Sequence, residues 1–446
     1  MKPSKFSESV FLTLSARFIG IGCGLLSSII IARILGPSGK GILAILTVLA
    51  GLILLFGNFG LPASNIYFIG KRKEILPQIT NNSLWFGVIG GIFFSLFVYF
   101  VIIKYTTIFT NIFTKDIPLL LVWITLLTIP FAFVASLFPN ILLACKKFLS
   151  YNGIAIANSI LSLIGIFLVL VIFKKGITEL VIVTAVIGIV MSAIYLFSTV
   201  RQVQVKIKCS FSLDLFFQMS KYGIRSYLAC LFGFLIIRAD MFLVNYYLGT
   251  AATGIYSVDA RFADLLCVLP STVGLLLFSK IASSNDKGEF TQKISRTTVI
   301  LMLVVCSFAA LLAKPLILFF YGDSFAQAIR PFFWLLPGIF FLGIGTIFMQ
   351  DLAGRGLPPI VYIAPAIALV VNIGMNIWLI PILKISGAAI ASSVAYTLMA
   401  ILTIGYFLKL TNKTVFDTFF IKRKDLKFII TKFSLSRTNS NGFTIG

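Results

Sequence analysis

Stretches of about twenty mainly apolar residues recur twelve times along this 446-residue chain, and little sequence is left between them for a water-soluble domain. In lipid every backbone N–H and C=O must be satisfied within the spanning segment, so each stretch is constrained to be a helix. The stretches lie near 9–32, 41–69, 83–103, 117–144, 153–173, 178–200, 220–247, 253–279, 297–320, 329–350, 359–381 and 387–408. The expectation is an all-α integral membrane protein with about twelve transmembrane helices. Composition agrees: 59% of residues are apolar and 11% charged, and a mean hydropathy of +1.05 lies outside the range of soluble domains.

Lysine and arginine orient the helices, because basic flanks stay on the cytoplasmic side. With twelve helices and the N-terminus inside, 24 of the 37 basic residues fall on inner flanks and 8 on outer flanks, Arg33 and Lys40 among the latter. The remaining 5, Arg17, Arg225, Arg238, Arg261 and Lys314, lie within helices. Both termini are therefore expected in the cytoplasm. The net charge of +23 follows from this topology, and no basic-aromatic module of soluble length accompanies it, so no nucleic-acid partner is expected. Beyond residue 409 a basic tail mixes Phe416, Phe419, Phe420 and Phe428 with Lys422, Arg423, Lys424 and Lys427. That mixture suits a solvated basic tail or a segment lying on anionic lipid.

Residues for catalysis are sparse. The chain has no histidine, which removes imidazole bases and histidine metal ligands. Its six cysteines, Cys23, Cys145, Cys209, Cys230, Cys267 and Cys306, show no paired ligand spacing and none lies in a predicted outer loop, so they read as small apolar filler. Gly36-Pro37-Ser38-Gly39-Lys40 lacks the spacing and the final hydroxyl of a phosphate-binding loop. Neither an enzyme activity, a cofactor nor a metal site is expected.

The chain repeats itself. Leu35-Gly36-Pro37-Ser38-Gly39-Lys40-Gly41-Ile42 follows the first predicted helix, and Leu248-Gly249-Thr250-Ala251-Ala252-Thr253-Gly254-Ile255 follows the seventh. Four identities fall at a constant offset of 213 residues. Six helices separate the copies, so the halves should be parallel and related by an axis along the membrane normal. The expected organisation is an N-terminal six-helix lobe over 1–200, a cytoplasmic connector over 201–219 with a short amphipathic surface helix, a C-terminal six-helix lobe over 220–408, and the tail over 409–446, with a central cavity between the lobes.

Charge inside helices is costly and marks a partner or a cavity. Asp240 and Arg261 each lie roughly 12 Å from the turn near 249–253, counting 1.5 Å per residue, so they are expected to meet across it. Arg238 and Asp259 sit at comparable depth, and Arg261 and Asp264 are three apart on one helix. Two roles stand open for this set: pinning two helices together by mutual neutralisation, or lining a cavity.

Further motifs point to a family. Ala32-Arg33-Ile34-Leu35-Gly36-Pro37, Phe56-Gly57-Asn58-Phe59-Gly60-Leu61, Arg238-Ala239-Asp240 with Gly254-Ile255-Tyr256-Ser257, and Leu379-Ile380-Pro381 with Gly387-Ala388-Ala389-Ile390-Ala391 are spread in order over 9–408. In these the chain resembles the polysaccharide-biosynthesis flippases, the O-antigen and capsule repeat-unit translocases of the multidrug/oligosaccharidyl-lipid/polysaccharide exporter superfamily. Asn58 stands where such families often carry an acidic residue, so an ion-coupling role is not carried over to it.

The resemblance implies an alternating-access transporter that moves an undecaprenyl-pyrophosphate-linked oligosaccharide from the inner to the outer leaflet of a bacterial plasma membrane. It implies as partners this polyprenyl-pyrophosphate lipid, the membrane lipids and the polysaccharide polymerase machinery. Arg238 and Arg261, with Arg17 and Arg225 nearer the cytoplasm, would then line the cavity, because the guanidinium fork donates two parallel hydrogen bonds to phosphate oxygens. Two rivals are a drug or cation exporter of the same superfamily and a glycan-repeat polymerase. The first six predicted helices hold no acidic residue at mid-depth, since Glu8, Glu74, Asp116 and Glu179 sit at ends or in loops; this favours an anionic substrate. No outer loop is long enough for the sugar-handling surface expected of a polymerase.

Overall fold

A computed structural model describes residues 3–105, 107, 116–208, 210–282 and 288–419. Cys209, most of the loop near 104–116 expected on the outer side, and the tail from 420 onward lie outside the described residues. Every regular element among the described residues is helical, as a chain of apolar segments in lipid requires. Ten of these helices are long and apolar enough to cross a membrane. The outer surface is that of a protein dissolved in lipid: Leu127, Leu311, Phe319 and Val370 are each more than 70% exposed, an arrangement water would penalise.

Two pairs of helices, each pair joined through a sharp glycine break and called a rod below, organise the molecule. The first, α1, is Pro3–Gly57 and breaks at Gly36, where φ is 65° and ψ −170°. Two short helices follow, α2 (Leu61–Lys71) and α3 (Leu76–Trp85), and then α4 (Gly91–Lys104), α5 (Leu119–Ala144), α6 (Phe148–Phe167) and α7 (Ile177–Val203). The second rod, α8, is Leu213–Leu266 and breaks at Gly249, where φ is 81° and ψ −178°. Both glycines occupy a region of backbone space that a Cβ closes off, so the repeated Leu-Gly marks two turns of one geometry. Spanning stretches of 46 and 54 residues run through the rods, about twice the roughly 20 needed for one crossing.

The rods touch back to back just beyond their turns. A methyl group on Gly41 would collide with the carbonyl oxygen of Thr250, and one on Gly254 with the carbonyl oxygen of Pro37. These four positions pair at the same 213-residue offset, so the contact is reciprocal. Arg33 also ties the first rod to α10 (Glu289–Tyr321): its guanidinium donates to the carbonyls of Phe319 and Phe320, which lack partners at a helix C-terminus. At the other end, Gly60 and Gly223 bring α2 against the start of the second rod.

After the second rod, α9 (Val268–Ala282) and α10 pack on α11 (Ile329–Gly354), while α12 (Ile360–Leu383) and α13 (Ile385–Thr411) pack on one another and on α8 or α11. A five-residue helix, α14 (Val415–Phe419), lies on α10, held by the Arg296 side chain, which donates to the Asp417 carbonyl at 2.6 Å. One buried cluster runs from Ile45 and Phe133 through Val244 and Val258 to Ile339 and Ala388, so the two halves share a core.

The connector departs from expectation. Residues 205–208 have no regular secondary structure, and helix begins only at Leu213 and continues directly into the second rod. The reason lies in three side chains of α3. Asn81 Oδ1 accepts from Lys208 N at 3.0 Å, Asn82 accepts from Ser212 N at 2.8 Å and donates to Ser212 O at 2.9 Å, and Trp85 Nε1 donates to Lys208 O at 3.0 Å. Backbone groups satisfied in this way have no need of a helix of their own.

Candidate functional site

A cleft of about 340 Å³ lies between the two rods. The first rod contributes Gly24, Ser28, Lys40 and Thr47, and the second contributes Arg238 and Arg261. Gly24 is there for room, because a side chain on it would occupy the place of the Arg261 guanidinium. The Arg261 Nε is sheltered and has no hydrogen-bond partner, and no carboxylate pairs with Arg261 among the described residues.

Lys40 corrects the sequence reading, which put it on an outer flank. It stands one turn past the break at Gly36 and is only 7% exposed, folded back into the cleft. Its Nζ donates to Ser28 Oγ at 2.6 Å and lies 5.3 Å from the centre of the Tyr321 ring, while Ser28 Oγ and Tyr321 Oη are 3.1 Å apart. A cation over an aromatic face is attracted by the ring quadrupole.

The expected meeting of Asp240 with Arg261 does not occur. Depth along a helix fixes height and not direction. Residues 238 and 240 point to nearly opposite sides of their helix, at 100° per residue. Arg238 faces the cleft and its Nη2 pairs with Asp264 Oδ2 at 2.6 Å, the two side chains being 23% and 38% exposed. Asp240 points the other way, into the second half. There it accepts from Tyr256 Oη, from Ser392 Oγ at 2.8 Å and from Met241 N at 2.9 Å. Asn372 Nδ2 donates on to Ser392 Oγ at 3.2 Å, and Asn376 Nδ2 to Asn372 Oδ1 at 2.9 Å. Asp259 is fully buried and neither of its carboxyl oxygens has a hydrogen-bond partner. The five charges therefore form one ion pair, one hydrogen-bonded carboxyl, one sealed carboxyl and one unpaired guanidinium, and not an interlocked set.

Arg17 and Arg225 are exposed and stand apart from the cleft lining. Arg17 lies on the same face as Gly24, about 10 Å further toward the chain start at 1.5 Å per residue. Ser392, Asn372 and Asn376, the partners that complete the Asp240 cluster, carry no signal in sequence: neutral polar residues in apolar helices look alike whether they pack or bind.

In the cleft the basic side chains of Lys40, Arg238 and Arg261 converge, Asp264 pairs with Arg238, and the Arg261 guanidinium is left without a counter-charge among the described residues. Partial removal from water strengthens such charges, and the guanidinium fork and the ammonium point charge complement phosphate oxygens. Among the described residues no group of three potential metal ligands comes together.

The structure is thus a multi-pass helical fold built on two glycine-broken rods with a charged cleft between them. The chain belongs to the polysaccharide biosynthesis protein family, whose profile matches residues 30–330. It is 25% identical over 389 residues to a candidate O-antigen transporter of Shigella flexneri, covering 83% of this chain and 90% of that one. Its fold is similar to that of the lipid II flippase MurJ in an inward closed conformation, with a TM-score of 0.73 and 20% identity over 98% of this chain and 94% of the other. It is also similar to an inward-facing multidrug resistance MATE family transporter, with a TM-score of 0.77 and 15% identity over 90% of this chain and 98% of the other.

Proposed function

We propose that this protein is a flippase that carries a polyprenyl-pyrophosphate-linked oligosaccharide from the inner to the outer leaflet of a bacterial plasma membrane. The observation that carries the reading is the convergence of Lys40, Arg238 and Arg261 on one cleft between the rods with only Asp264 to offset them. A diphosphate supplies the missing negative charge, and the lipid tail stays in the bilayer. The uncompensated positive charge disfavours the rival cation exporter, since a cationic drug would meet repulsion where it needs a carboxylate.

In this reading each rod makes two crossings, giving twelve in all, with both termini in the cytoplasm. Residues 1–200 and 220–408 act as two lobes that move against each other about the cleft, in the manner of parallel-repeat transporters. Arg238 and Arg261 hold the pyrophosphate. Arg17 and Arg225, exposed nearer the cytoplasmic side, attract the anionic head group before it enters. Membrane lipids and the polymerase that receives the flipped unit are the expected partners.

The test is genetic and chemical. Deletion of the gene should leave lipid-linked glycan accumulated on the inner leaflet, and Arg238→Ala with Arg261→Ala should fail to restore export although the protein is present in the membrane. Full export by the double variant, or a deletion strain that exports normally and is sensitised to cationic dyes, would overturn the reading.

A further inference from the structure

A cavity of about 660 Å³ lies beside the cationic cleft and within the first half. Leu43 and Thr47 line both spaces, so one face of the first rod is the partition between them. Its walls come from that rod and from α5, α6 and α7, and none of its lining residues is charged. Thr47, Asn158 and Gly188 on the wall are exposed, so the space is accessible.

The polarity of this chamber is specific. Thr47, Thr125, Thr128, Ser136 and Thr184 all donate their hydroxyl protons to carbonyls of their own helices, at 2.7 to 3.0 Å. A carbonyl only accepts, so in each pair the hydroxyl is the donor, and what it turns toward the chamber is lone pairs. Asn158 and Tyr195 add donors to the wall, but the lone pairs of the five hydroxyls outnumber them, so the chamber disfavours phosphate and carboxylate and welcomes O–H donors. Between these oxygens the wall is mainly alanine, glycine and aliphatic side chains, which suits the C–H faces of a pyranose ring. The volume falls within the roughly 300–1,000 Å³ of sites that enclose drug-sized ligands, enough for a short oligosaccharide.

We propose that this chamber is the glycan site, taking an uncharged, hydroxyl-rich oligosaccharide while its pyrophosphate occupies the adjoining cleft. The inference rests on the flippase reading and adds to it the chemical class of the sugar: a repeat unit without uronic acids or other anionic groups in the part that enters first. The partition at Thr47 divides the head group by charge, diphosphate on the lysine and arginine side and neutral sugar on the hydroxyl side.

Gly188 makes this testable, because a Cβ there meets no atom within 4 Å and a larger side chain grows into the chamber and not into a helix. The full chain is reconstituted in vesicles with polyprenyl pyrophosphate bearing an uncharged oligosaccharide, the same lipid bearing a uronic-acid glycan, and the bare polyprenyl pyrophosphate. Gly188→Leu should lower translocation of the uncharged glycan lipid about tenfold, the effect of losing about 1.4 kcal/mol of binding, and leave binding of the bare lipid within about twofold. Arg261→Ala should lower both. Thr184→Val, close in shape but lacking the acceptor, should lower glycan translocation about threefold, with an unfolding temperature like that of the parent chain. Wild-type translocation by Gly188→Leu, or preference of the parent chain for the acidic glycan, overturns the chamber while the flippase reading stands. Failure of the parent chain to bind the bare lipid overturns both.

Discussion

The two rods share a turn and differ in everything the turn presents. Gly36 and Gly249 have the same backbone geometry, and Gly41 and Gly254 meet each other's backbones reciprocally. At the same 213-residue offset, however, Arg238, Asp240, Tyr256, Asp259, Arg261 and Asp264 of the second rod stand opposite Leu25, Ser27, Leu43, Leu46, Val48 and Gly51 of the first. Lys40, in turn, stands opposite Thr253. The backbone plan is duplicated and the charge is not. A duplicated scaffold gives two surfaces that fit together, and placing most of the charge on one copy gives the cleft between them two unlike walls.

The largest effect should come from the shared contact. Gly41→Val and Gly254→Val each force a branched side chain into a carbonyl, and overpacking against backbone costs about 3 kcal/mol. Thermal unfolding of the purified chain should show losses of similar size for both, and a loss confined to one would break the reciprocity. Next comes the unequal charge: Arg261→Ala should reduce translocation of a pyrophosphate-linked lipid about a hundredfold, near 2.7 kcal/mol, whereas Arg17→Ala, outside the cleft, should change it about twofold. Equal losses would extend the site to the inner rim.

Asp240→Ala leaves the buried hydroxyls of Tyr256 and Ser392 without their acceptor and should destabilise the fold by about 2 kcal/mol. Ser27→Ala at the corresponding place of the first rod should cost less than about 0.5 kcal/mol in the same melt. The turns themselves come last. Gly36→Ala meets no neighbour, so its cost is backbone strain alone, about 1–2 kcal/mol; Gly249→Ala adds a close contact with Asp116 Oδ2 at 3.0 Å and should cost the same or slightly more in the same melt.

Much of the fold was legible because lipid leaves a chain few choices. Apolar runs marked the helices, and Leu35-Gly36 and Leu248-Gly249 marked the two turns. The site was legible in part. Arg238 and Arg261 stood out as charges where charge is expensive, and the cleft holds both. Their partners did not stand out, because an offset from a turn gives the height of Asp240 and says nothing of which way it faces. Lys40, four residues after the turn at Gly36, has the look of a loop lysine; it is buried where Gly41 comes close to the other rod. Ser392 reaches Asp240, and Asn372 reaches Ser392, from helices that sequence does not link to the second rod. The acceptor walls of the chamber are equally silent, since a threonine bonded to its own helix reads as ordinary filler.

The crossing at Gly41 and Gly254 has a mechanical meaning as well. Helices joined by interlocked side chains must unmesh before they can turn, but here bare backbone rests on bare backbone, like a bearing without teeth. At the crossing itself a tilt meets no side chain to unmesh, although the shared core of Ile45 and Val258 lies one turn away, and its effect grows with distance: Arg261 is seven residues beyond Gly254, about 10 Å along the axis, so each 10° or so of tilt carries its guanidinium roughly 2 Å sideways. The absence of two side chains thus turns a small rotation into a stroke long enough to make or release a hydrogen bond.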